Sequence, residues 1–463
     1  MNARARERPR TQGHANWTLV TCVLASSLSF VEGSVLNVAL PAIRSGYQAG
    51  TAEVQWVVNA YLLPLSALLL LGGALGDHFG RRRLLIIGTA IFAVTSLICA
   101  LAPSLNILLM ARGAQGVGAA LLLPNSLALL NAAFEGEKRG RAVGIWAAAG
   151  AAAAAVAPLL GGWLVDNVGW PAIFYINLPL AIGAILLALK FVAESRESGE
   201  GRTDYAGALL VTAGLGGLTY ALTLWSADGA MNTRAWIALG AGLAFLAGFF
   251  AVEVRRGKRA MLPLSLFANR CFSGLNLLTF LLYGAFGAAM LLLPYVLISA
   301  GGYSPIQAGM AMLPLPILMT AASPSMGSLA ARIGPRLPLT IGPVIVAVGM
   351  LLSNLLQPDS SYWTGTFPMI AVMALGLTIA VAPLTSSVLG AVEEQHVAMA
   401  SGLNSAVARL GGLIATALLG SVLGKEGDAL FGAFHGAMIA SAVVSGAAAV
   451  VALTMLGGVK MRK

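Results

Sequence analysis

Two ionisable side chains lie deep inside apolar stretches of the sequence. Glu32 lies near the middle of the stretch 17–43, and no basic residue occurs between Thr18 and Pro41. A carboxylate in hydrocarbon is costly, and it persists there by facing an internal cavity, pairing with a cation or carrying a proton. Arg112 lies at a matching depth in a second apolar stretch, 105–128. These positions predict a buried pair in which Glu32 binds and releases a proton beside Arg112.

A structural role for the same pair remains open. Glu32 could serve only to hydrogen-bond a neighbouring helix, although such bonds in membranes average about 0.6 kcal/mol, which is small support for so costly a group. The pair could also be a static bridge that holds two helices together. Neither alternative requires a proton to move.

The elements that must position these residues are membrane-spanning helices. Hydrophobic residues make up 58% of the 463 residues and charged residues 10%, which leaves too little polar surface for a soluble globular protein. Apolar runs long enough to cross ~30 Å of hydrocarbon therefore indicate an all-α polytopic membrane protein. We predict fourteen transmembrane helices, at 17–43, 52–76, 83–103, 105–128, 141–164, 170–192, 204–225, 235–254, 271–297, 304–330, 336–356, 362–388, 399–423 and 434–457.

The basic residues support this number of crossings, because short cytoplasmic loops retain Lys and Arg. With both termini placed in the cytoplasm, 23 of the 28 Lys and Arg residues fall on that side and 3 on the other. The remaining 2, Arg112 and Arg409, are the basic residues that lie deep inside predicted helices. The net charge of +10 is explained by this topology and by anionic inner-leaflet lipid. We therefore predict a multi-pass protein of the plasma (inner) membrane, with no nucleic-acid partner.

An internal repeat divides the chain. The segment from Gly73 to Leu84 closes the second predicted helix, and a similar segment from Gly327 to Leu337 closes the tenth. An offset of eight helices fits two six-helix bundles separated by two inserted helices, and in repeats of this kind a substrate site lies between the halves. We predict a first bundle over 1–192, a linker with two inserted helices over 193–258 and a second bundle over 259–463.

Several motifs together resemble one family. The run Gly73-Ala-Leu-Gly-Asp77-His-Phe-Gly80-Arg81 and the fourteen-helix layout resemble the drug:proton antiporter branch of the major facilitator superfamily. The resemblance implies the major facilitator fold and the export of amphipathic or cationic small molecules in exchange for protons, by alternating access. Family members usually carry Asp at the position of Glu32, so this chain keeps the carboxylate and lengthens the side chain by one methylene. Further matches span Phe30 to Pro41, Leu108 to Gly118 and Gly169 to Pro179.

The same resemblance implies a conformational latch at the end of the second helix, formed by Gly73, Asp77, Gly80 and Arg81. Small residues there allow close approach of helices, and the charges fasten the cytoplasmic ends in the outward-facing state. The second copy of the motif has Ala331 in place of Asp77, so we expect an asymmetric latch to which the second bundle contributes less.

The fifth predicted helix resembles the antiporter signature of the family. Small residues beside a helix-bending proline permit tight, slidable packing against another helix. Two glycines expected from the family appear as Ala153 and Ala157, which keeps uptake open as an alternative to antiport. The residues that match the signature are Gly144, Pro158, Gly161 and Gly162.

The substrate cavity is predicted between the bundles, from helices one, two, four and five and their counterparts. Arg409, in the thirteenth predicted helix, is expected to reach the inner interface near Glu393 and Glu394, and a charge for anionic substrate groups is the alternative. Polar, aromatic and methionine side chains at suitable depth are the candidate lining residues: Phe30, Asn37, Asn59, Tyr61, Gln115, Asn125, Met290 and Tyr295.

The sequence lacks the features of an energy-converting enzyme. It contains no G-x-x-x-x-G-K-[ST] loop, and Cys22, Cys99 and Cys271 have no metal-site spacing. We therefore expect no enzymatic activity, cofactor, metal ion or ATPase subunit, and partners that are small molecules, protons and the lipid bilayer. One alternative is a dedicated metabolite exporter or proton-linked uptake transporter of the same fold. The other is a non-transporting receptor or scaffold, which has no need of charge at depth.

Overall fold

The computed structural model describes residues 12–196, 204–257, 264–358, 360–392 and 397–456, and its regular elements are helices. Short 3-10 segments lie at Leu264–Ala268 and Leu352–Leu355, and a π-helical turn at Tyr362–Thr366 leads into α14. The α-helices are α1 (Gln12–Tyr47), α2 (Thr51–Phe79), α3 (Arg81–Ala100), α4 (Leu105–Ala133), α5 (Gly136–Asn167), α6 (Ala172–Tyr175), α7 (Asn177–Phe191), α8 (Tyr205–Asp228), α9 (Thr233–Arg256), α10 (Arg270–Ser299), α11 (Pro305–Ala311), α12 (Pro314–Ile333), α13 (Arg336–Leu351), α14 (Phe367–Gly390), α15 (Val397–Ala417), α16 (Gly420–Leu423) and α17 (Gly427–Met455).

Thirteen helical segments of the described chain are long and apolar enough to cross a membrane. They coincide with thirteen of the fourteen predicted spans. The remaining predicted span, 399–423, contains α15, a helix of 21 residues that carries Arg409, and the short α16. The all-α polytopic fold is confirmed, and the structure is consistent with fourteen crossings.

The apolar segments of this chain form α-helices because they lie in a membrane. In hydrocarbon every backbone N–H and C=O needs a partner inside the protein, and an α-helix supplies those partners within one segment. Interior prolines such as Pro64, Pro124 and Pro158 remain within long helices, because neighbouring helices support the backbone there.

The helices pack in two groups with a hairpin between them. In the first group α1 packs on α5 and α7, and α4 packs on α2 and α3. In the second group α10 packs on α15 and α17, and α14 packs on α12 and α13. Helices α8 and α9 pack on each other, and α8 also contacts α2, α15 and α16. The groups meet where α1 contacts α10, α2 contacts α15 and α5 contacts α11 and α12.

One face of the molecule carries hydrogen bonds that join the two groups. We call the end where α2 joins α3, beside Arg81, the basic face, and the other end the opposite face. At the opposite face Arg44 donates to the Tyr295 hydroxyl at 2.5 Å and to the Leu423 carbonyl at 3.0 Å. Gln55 Nε2 donates to the Thr416 carbonyl at 2.9 Å. These bonds hold the groups together at the opposite face.

Gly72 is one of the glycines that allow close contact between α2 and α4. A Cβ at Gly72 would overlap the Ala120 carbonyl oxygen and lie 2.8 Å from its carbon, so the two backbones touch there. At the neighbouring Gly73 the nearest atom to a Cβ, the Pro124 Cβ, is 3.5 Å away. This difference makes the two positions a matched pair for substitution.

We expect Gly72→Ala to lower the free energy of unfolding by about 1–3 kcal/mol, the usual cost of overpacking a core. Gly73→Ala should be neutral or stabilising, because Ala is favoured over Gly inside a helix by about 1 kcal/mol. Thermal unfolding of both purified variants in the same detergent measures the difference. Equal midpoints for the two variants would contradict the close contact.

Candidate functional site

Glu32 and Arg112 form an ion pair between α1 and α4. An Arg112 guanidinium nitrogen donates to Glu32 Oε1, and each residue is only 1% exposed. The pairing predicted from depth is therefore present in the structure. Its role in proton transfer stays a prediction.

Further bonds hold each partner of the pair in place. The second carboxylate oxygen, Glu32 Oε2, accepts from Asn177 Nδ2 of α7 at 3.0 Å. Arg112 donates from Nε to the Val57 carbonyl of α2 at 3.1 Å and from Nη1 to Gln115 Oε1 at 2.6 Å. A buried charge left without its partner is strongly destabilising. The network therefore ties four helices to the charge state of one carboxylate.

Two residues of this network were not predicted from the sequence. Ser96 of α3 accepts from Gln115 Nε2 at 2.8 Å and from Asn177 Nδ2 at 3.3 Å. Asn177 lies inside the predicted sixth helix as a polar residue at depth, which was the available signal. Ser96 gives no such signal, because serine is common in apolar helices and satisfies itself by local bonds.

Tyr61 contacts Arg112 of this pair and also lies within electrostatic range of a second cation at depth. The Arg112 guanidinium carbon is 4.6 Å from the centre of the Tyr61 ring, a cation–π contact, and the Tyr61 hydroxyl bonds Ser29 at 2.8 Å. Arg409 of α15 also interacts electrostatically with Tyr61. Glu393 and Glu394, the expected neighbours of Arg409, lie outside the described residues. Tyr61, the described residue with which Arg409 interacts, thus belongs to the first group of helices.

A cavity of about 760 Å³ lies between the two groups of helices. Its wall comes from α1, α2 and α5 on one side, and from α10, α14, α15 and the segment of α11 and α12 on the other. It extends toward the basic face, where Ala147 and Gly327 line it, and none of its described lining residues is charged. The volume suits a drug-sized ligand.

Two of the eight predicted lining residues line this cavity. Asn37 and Met290 face it from the two groups, and Asn37 Nδ2 donates to the Met290 carbonyl at 3.1 Å. Helix α4 contributes no residue to the wall, so the expected contribution of the fourth helix is wrong for this cavity. The apolar wall instead includes Phe286, Met312 and Met319, which the sequence did not single out.

The other six predicted lining residues lie elsewhere, and four of them make hydrogen bonds inside the protein. Gln115 and Tyr61 belong to the ion-pair network described above. Asn125 binds the Gly72 carbonyl at 2.9 Å and fixes α4 to α2, and Tyr295 accepts from Arg44 at the opposite face.

The last two of the six also lie outside the cavity wall. Phe30 packs edge-on against Trp146, with ring centres 5.7 Å apart. Asn59 is fully buried in α2, and both of its amide atoms lack a hydrogen-bond partner among the described residues.

The predicted latch residues meet at the basic face. Arg81 donates from Nε to Asp77 Oδ1 at 2.8 Å, and the Arg81 backbone N–H donates to the Ser195 carbonyl at 2.9 Å. Glu194 accepts from the backbone N–H of Arg82 at 2.9 Å. The segment that follows α7 is thereby tied to the start of α3.

A glycine is required at the centre of this cluster. Gly80 has a positive φ of 111°, and a Cβ there would lie 2.7 Å from the Glu194 carboxyl carbon. Gly73 lies one turn before Asp77 on α2. All the contacts named here join elements of the first group, and the latch function stays a prediction. Glu194 falls at the start of the predicted linker, and the sequence did not predict it as a partner of the latch residues.

Residues of the antiporter signature lie where α5 meets α1 and α11. Gly161 packs on Val35 of α1, and Gly162 packs on the backbone of Pro305 and Ile306 at the start of α11. Pro158 lines the cavity and contacts Gly309 of α11. Gly144 has no atom within 4 Å of a Cβ position, so it makes no comparable contact.

Comparison with known proteins identifies the family. The family model described as "Major Facilitator Superfamily" matches residues 22–268 and 275–460. This chain belongs to the major facilitator superfamily. It is 34% identical over 408 residues to the multidrug resistance protein Stp of Mycobacterium tuberculosis (strain CDC 1551 / Oshkosh), covering 88% of this chain and 75% of that protein.

Two more similarities agree with this family assignment. The methylenomycin A resistance protein of Bacillus subtilis (strain 168) is 33% identical over 408 residues, which cover 88% of this chain and 87% of that protein. The fold matches the crystal structure of a bacterial homologue of the human lysosomal transporter Spinster in an inward-facing, unoccupied conformation, with a TM-score of 0.64 and 16% identity. That match covers 96% of this chain and 98% of the other. The protein is thus a multi-pass membrane protein of a small-molecule transporter family.

Clusters of metal-ligating side chains are absent from the part of the chain that the structure describes. Within that part, no group of three or more His, Cys, Asp and Glu side chains is arranged to hold a metal ion. The site thus consists of one buried carboxylate paired with a guanidinium and one mostly apolar cavity.

Proposed function

We propose that this protein is a secondary transporter that exports amphipathic small molecules in exchange for protons. The observation that carries the proposal is that α1 holds Glu32 in the buried ion pair with Arg112 of α4, while other residues of α1 line the cavity between the two groups of helices. Relatives named for multidrug resistance and for methylenomycin A resistance support export. A scaffold has no use for a charge pair buried at this depth.

Helix α1 connects the proton site to the cavity. Glu32 points from α1 toward α4 and α7, whereas Ser34 and Asn37 of the same helix line the cavity. A shift of α1 on substrate binding therefore changes the geometry of the ion pair. If substrate binding changes the proton affinity of Glu32 by some factor, linkage requires that protonation of Glu32 changes the substrate affinity by the same factor.

Protonation of Glu32 removes the charge that holds Arg112. The guanidinium keeps its bonds to Gln115 and to the Val57 carbonyl, so it stays on α4 and α2 while α1 is released. Loss of the proton restores the attraction and draws α1 back. In this scheme proton entry and substrate exit alternate. The protonated and the charged state of Glu32 favour opening of the cavity at different faces of the protein.

The orientation and division of the chain belong to the same proposal. Arg81, Arg82 and Arg83 lie at the basic face, which supports a cytoplasmic position for that face and for both termini. The bonds at the opposite face would then close the outer side, and the cavity would receive substrate from inside. The moving bodies would be 1–192 and 259–463, joined by the two inserted helices of 193–258, and Asp77 with Arg81 would latch the cytoplasmic ends when the outer side opens.

Flux in proteoliposomes with an imposed pH difference tests the proposal. Cationic, neutral and anionic fluorescent compounds are offered in turn, and at least one should accumulate against its gradient only while the pH difference lasts. Liposomes without protein correct for passive permeation. A rate of counterflow that does not change with the pH difference, without any accumulation driven by it, would contradict proton coupling and indicate a uniporter. Accumulation in the direction of proton flow would instead support proton-linked uptake.

A further inference from the structure

We infer that Arg409 binds an anionic group of the substrate, so that the preferred substrates are amphipathic organic acids rather than cations. The inference rests on the proposed function and specifies the charge of the transported compound. It comes from the charges that are available beside the cavity.

No free carboxylate is available to attract a cation at mid-depth. No Asp or Glu occurs in any predicted span after residue 270, and Glu32 is the one acidic residue near the middle of a span in the first bundle. Glu32 is 1% exposed, and its two oxygens accept from Arg112 and Asn177. A cationic substrate would have to break this pair or enter the cavity without any counter-charge.

Arg409 is not itself a lining residue of the cavity, but it lies on the same side of α15 as two residues that are. Gly412 and Thr416 line the cavity, and they follow Arg409 by three and seven residues, which places all three on one side of the helix. Arg409 lies twelve residues after Val397, the start of α15, or about 18 Å along the axis. Its side chain is half-buried, so part of it is accessible.

Arg409 has no carboxylate partner in the described part of the chain. No hydrogen bond or ion pair joins it to an acidic residue there, and its described electrostatic partner is Tyr61. A guanidinium at this depth is costly without an anion. An incoming carboxylate would supply that anion and accept two parallel N–H bonds from the guanidinium fork.

The cavity wall suits the apolar part of such a molecule. Phe286, Met290 and Met319 line the cavity, and methionine and aromatic side chains adapt to varied apolar shapes. Asn37 adds one amide. An acid with an aromatic body would thus place its carboxylate at Arg409 and its rings against these side chains.

Three probes with one aromatic body test the inference: pyrenebutyrate, its neutral amide and pyrenebutylammonium. Binding to the full-length protein in detergent is measured by energy transfer from tryptophan to pyrene, and flux is measured in proteoliposomes. The wild-type protein should bind the butyrate about tenfold or more tightly than the ammonium, as expected for a charge-assisted hydrogen bond. Arg409→Gln should remove this preference, and Arg409→Lys should keep most of it.

The control is Arg332→Gln, because Arg332 is an exposed residue in the last turn of α12. It should leave the charge preference intact. Equal affinity for the butyrate and the ammonium in the wild-type protein would overturn the inference, and so would an unchanged preference in Arg409→Gln with a normal unfolding midpoint. If Arg409→Gln does not fold, Arg409→Lys decides, since loss of the preference despite the retained charge would also overturn it.

The same experiment separates this inference from the proposed function. A butyrate preference that depends on Arg409, with no proton-driven flux, supports the anion site and contradicts proton coupling. Proton-driven flux of the ammonium probe alone supports the coupling and overturns the anion site.

Discussion

Glu32→Gln is expected to abolish proton-driven transport while leaving substrate exchange intact. The amide keeps the shape of the side chain and an oxygen that accepts from Arg112, but it binds no proton in the physiological range. Without a protonation step the cavity still alternates with bound substrate on both sides, so counterflow persists. Proteoliposome flux with and without an imposed pH difference separates these two activities. Gradient-driven accumulation equal to that of the wild-type protein would contradict the central role of Glu32.

The matched control for this change is Glu53→Gln. Glu53 is an exposed carboxylate in the first turn of α2, where it accepts from the Gly50 backbone N–H at 2.7 Å. It is acidic like Glu32 but lies at the opposite face. We expect full proton-driven transport in this variant, because its carboxylate has no contact with the ion-pair network.

Stability and coupling can be separated by removing both charges. Breaking a buried ion pair by removing one partner costs about 3–5 kcal/mol, so Arg112→Gln alone should unfold at a much lower temperature. The double variant Glu32→Gln with Arg112→Gln leaves no charge at this site and should recover most of that stability. It should still fail to use the pH difference. A static bridge predicts the opposite, namely that restored stability brings restored coupling.

The sequence predicted what depends on depth along a helix. The spans follow from apolar length, and the Glu32–Arg112 contact follows from two residues at one level on antiparallel helices. Both arguments use only depth along the membrane normal, and the thickness of the membrane fixes that coordinate. The rotation of α4 about its axis was not needed for this prediction. A buried carboxylate and a buried guanidinium at the same depth attract each other and so favour the rotation that brings them together.

Rotation of the helices could not be predicted in the same way. Gln115, Asn125 and Tyr61 were chosen as lining residues because they are polar at depth, yet each is used inside the first group of helices. In hydrocarbon, polar side chains are satisfied by other parts of the protein. Polarity at depth thus indicates a structural bond as often as a substrate contact.

The wall of the cavity had the weakest sequence signal. Its residues are mostly alanine, glycine, leucine and methionine, which also face lipid elsewhere in the chain. Only contact between α1 and α10, far apart in sequence, shows that Asn37 and Met290 lie together. Arg409 follows the same pattern. Its depth was evident from the sequence, but its interaction with Tyr61 could not be predicted, because it depends on how α15 packs against α2.

Gly162→Val is expected to open the opposite face. A Cβ at Gly162 would lie 2.5 Å from Ile306 Cα and 2.6 Å from Ile306 N, both backbone atoms. The reciprocal contact at Gly309, against the Pro158 carbonyl, is equally close. A larger residue must therefore push α5 away from α11, and the 3.0 Å bond from the Ile306 N–H to the Asp166 carboxylate is lost with it.

The size of the effect follows from the cost of overpacking. Overpacking of a close contact costs about 1–3 kcal/mol, which shifts a two-state equilibrium by roughly 5- to 150-fold. The population of the state that is closed at the opposite face falls by roughly 5- to 150-fold relative to the open state. Transport slows because every transport cycle includes that closed state. Gly144→Val on the same helix is the control, since no atom lies within 4 Å of a Cβ there.

Labelling of a cysteine in the cavity measures this shift. Ser34→Cys places a thiol on the cavity wall, in a background where Cys22, Cys99 and Cys271 are replaced by alanine. A membrane-impermeant maleimide added from the side of the opposite face should react faster in Gly162→Val than in Gly144→Val. Equal rates would mean that the contact between α5 and α11 does not close that face, and the bonds of Arg44 and Gln55 would then have to close it alone.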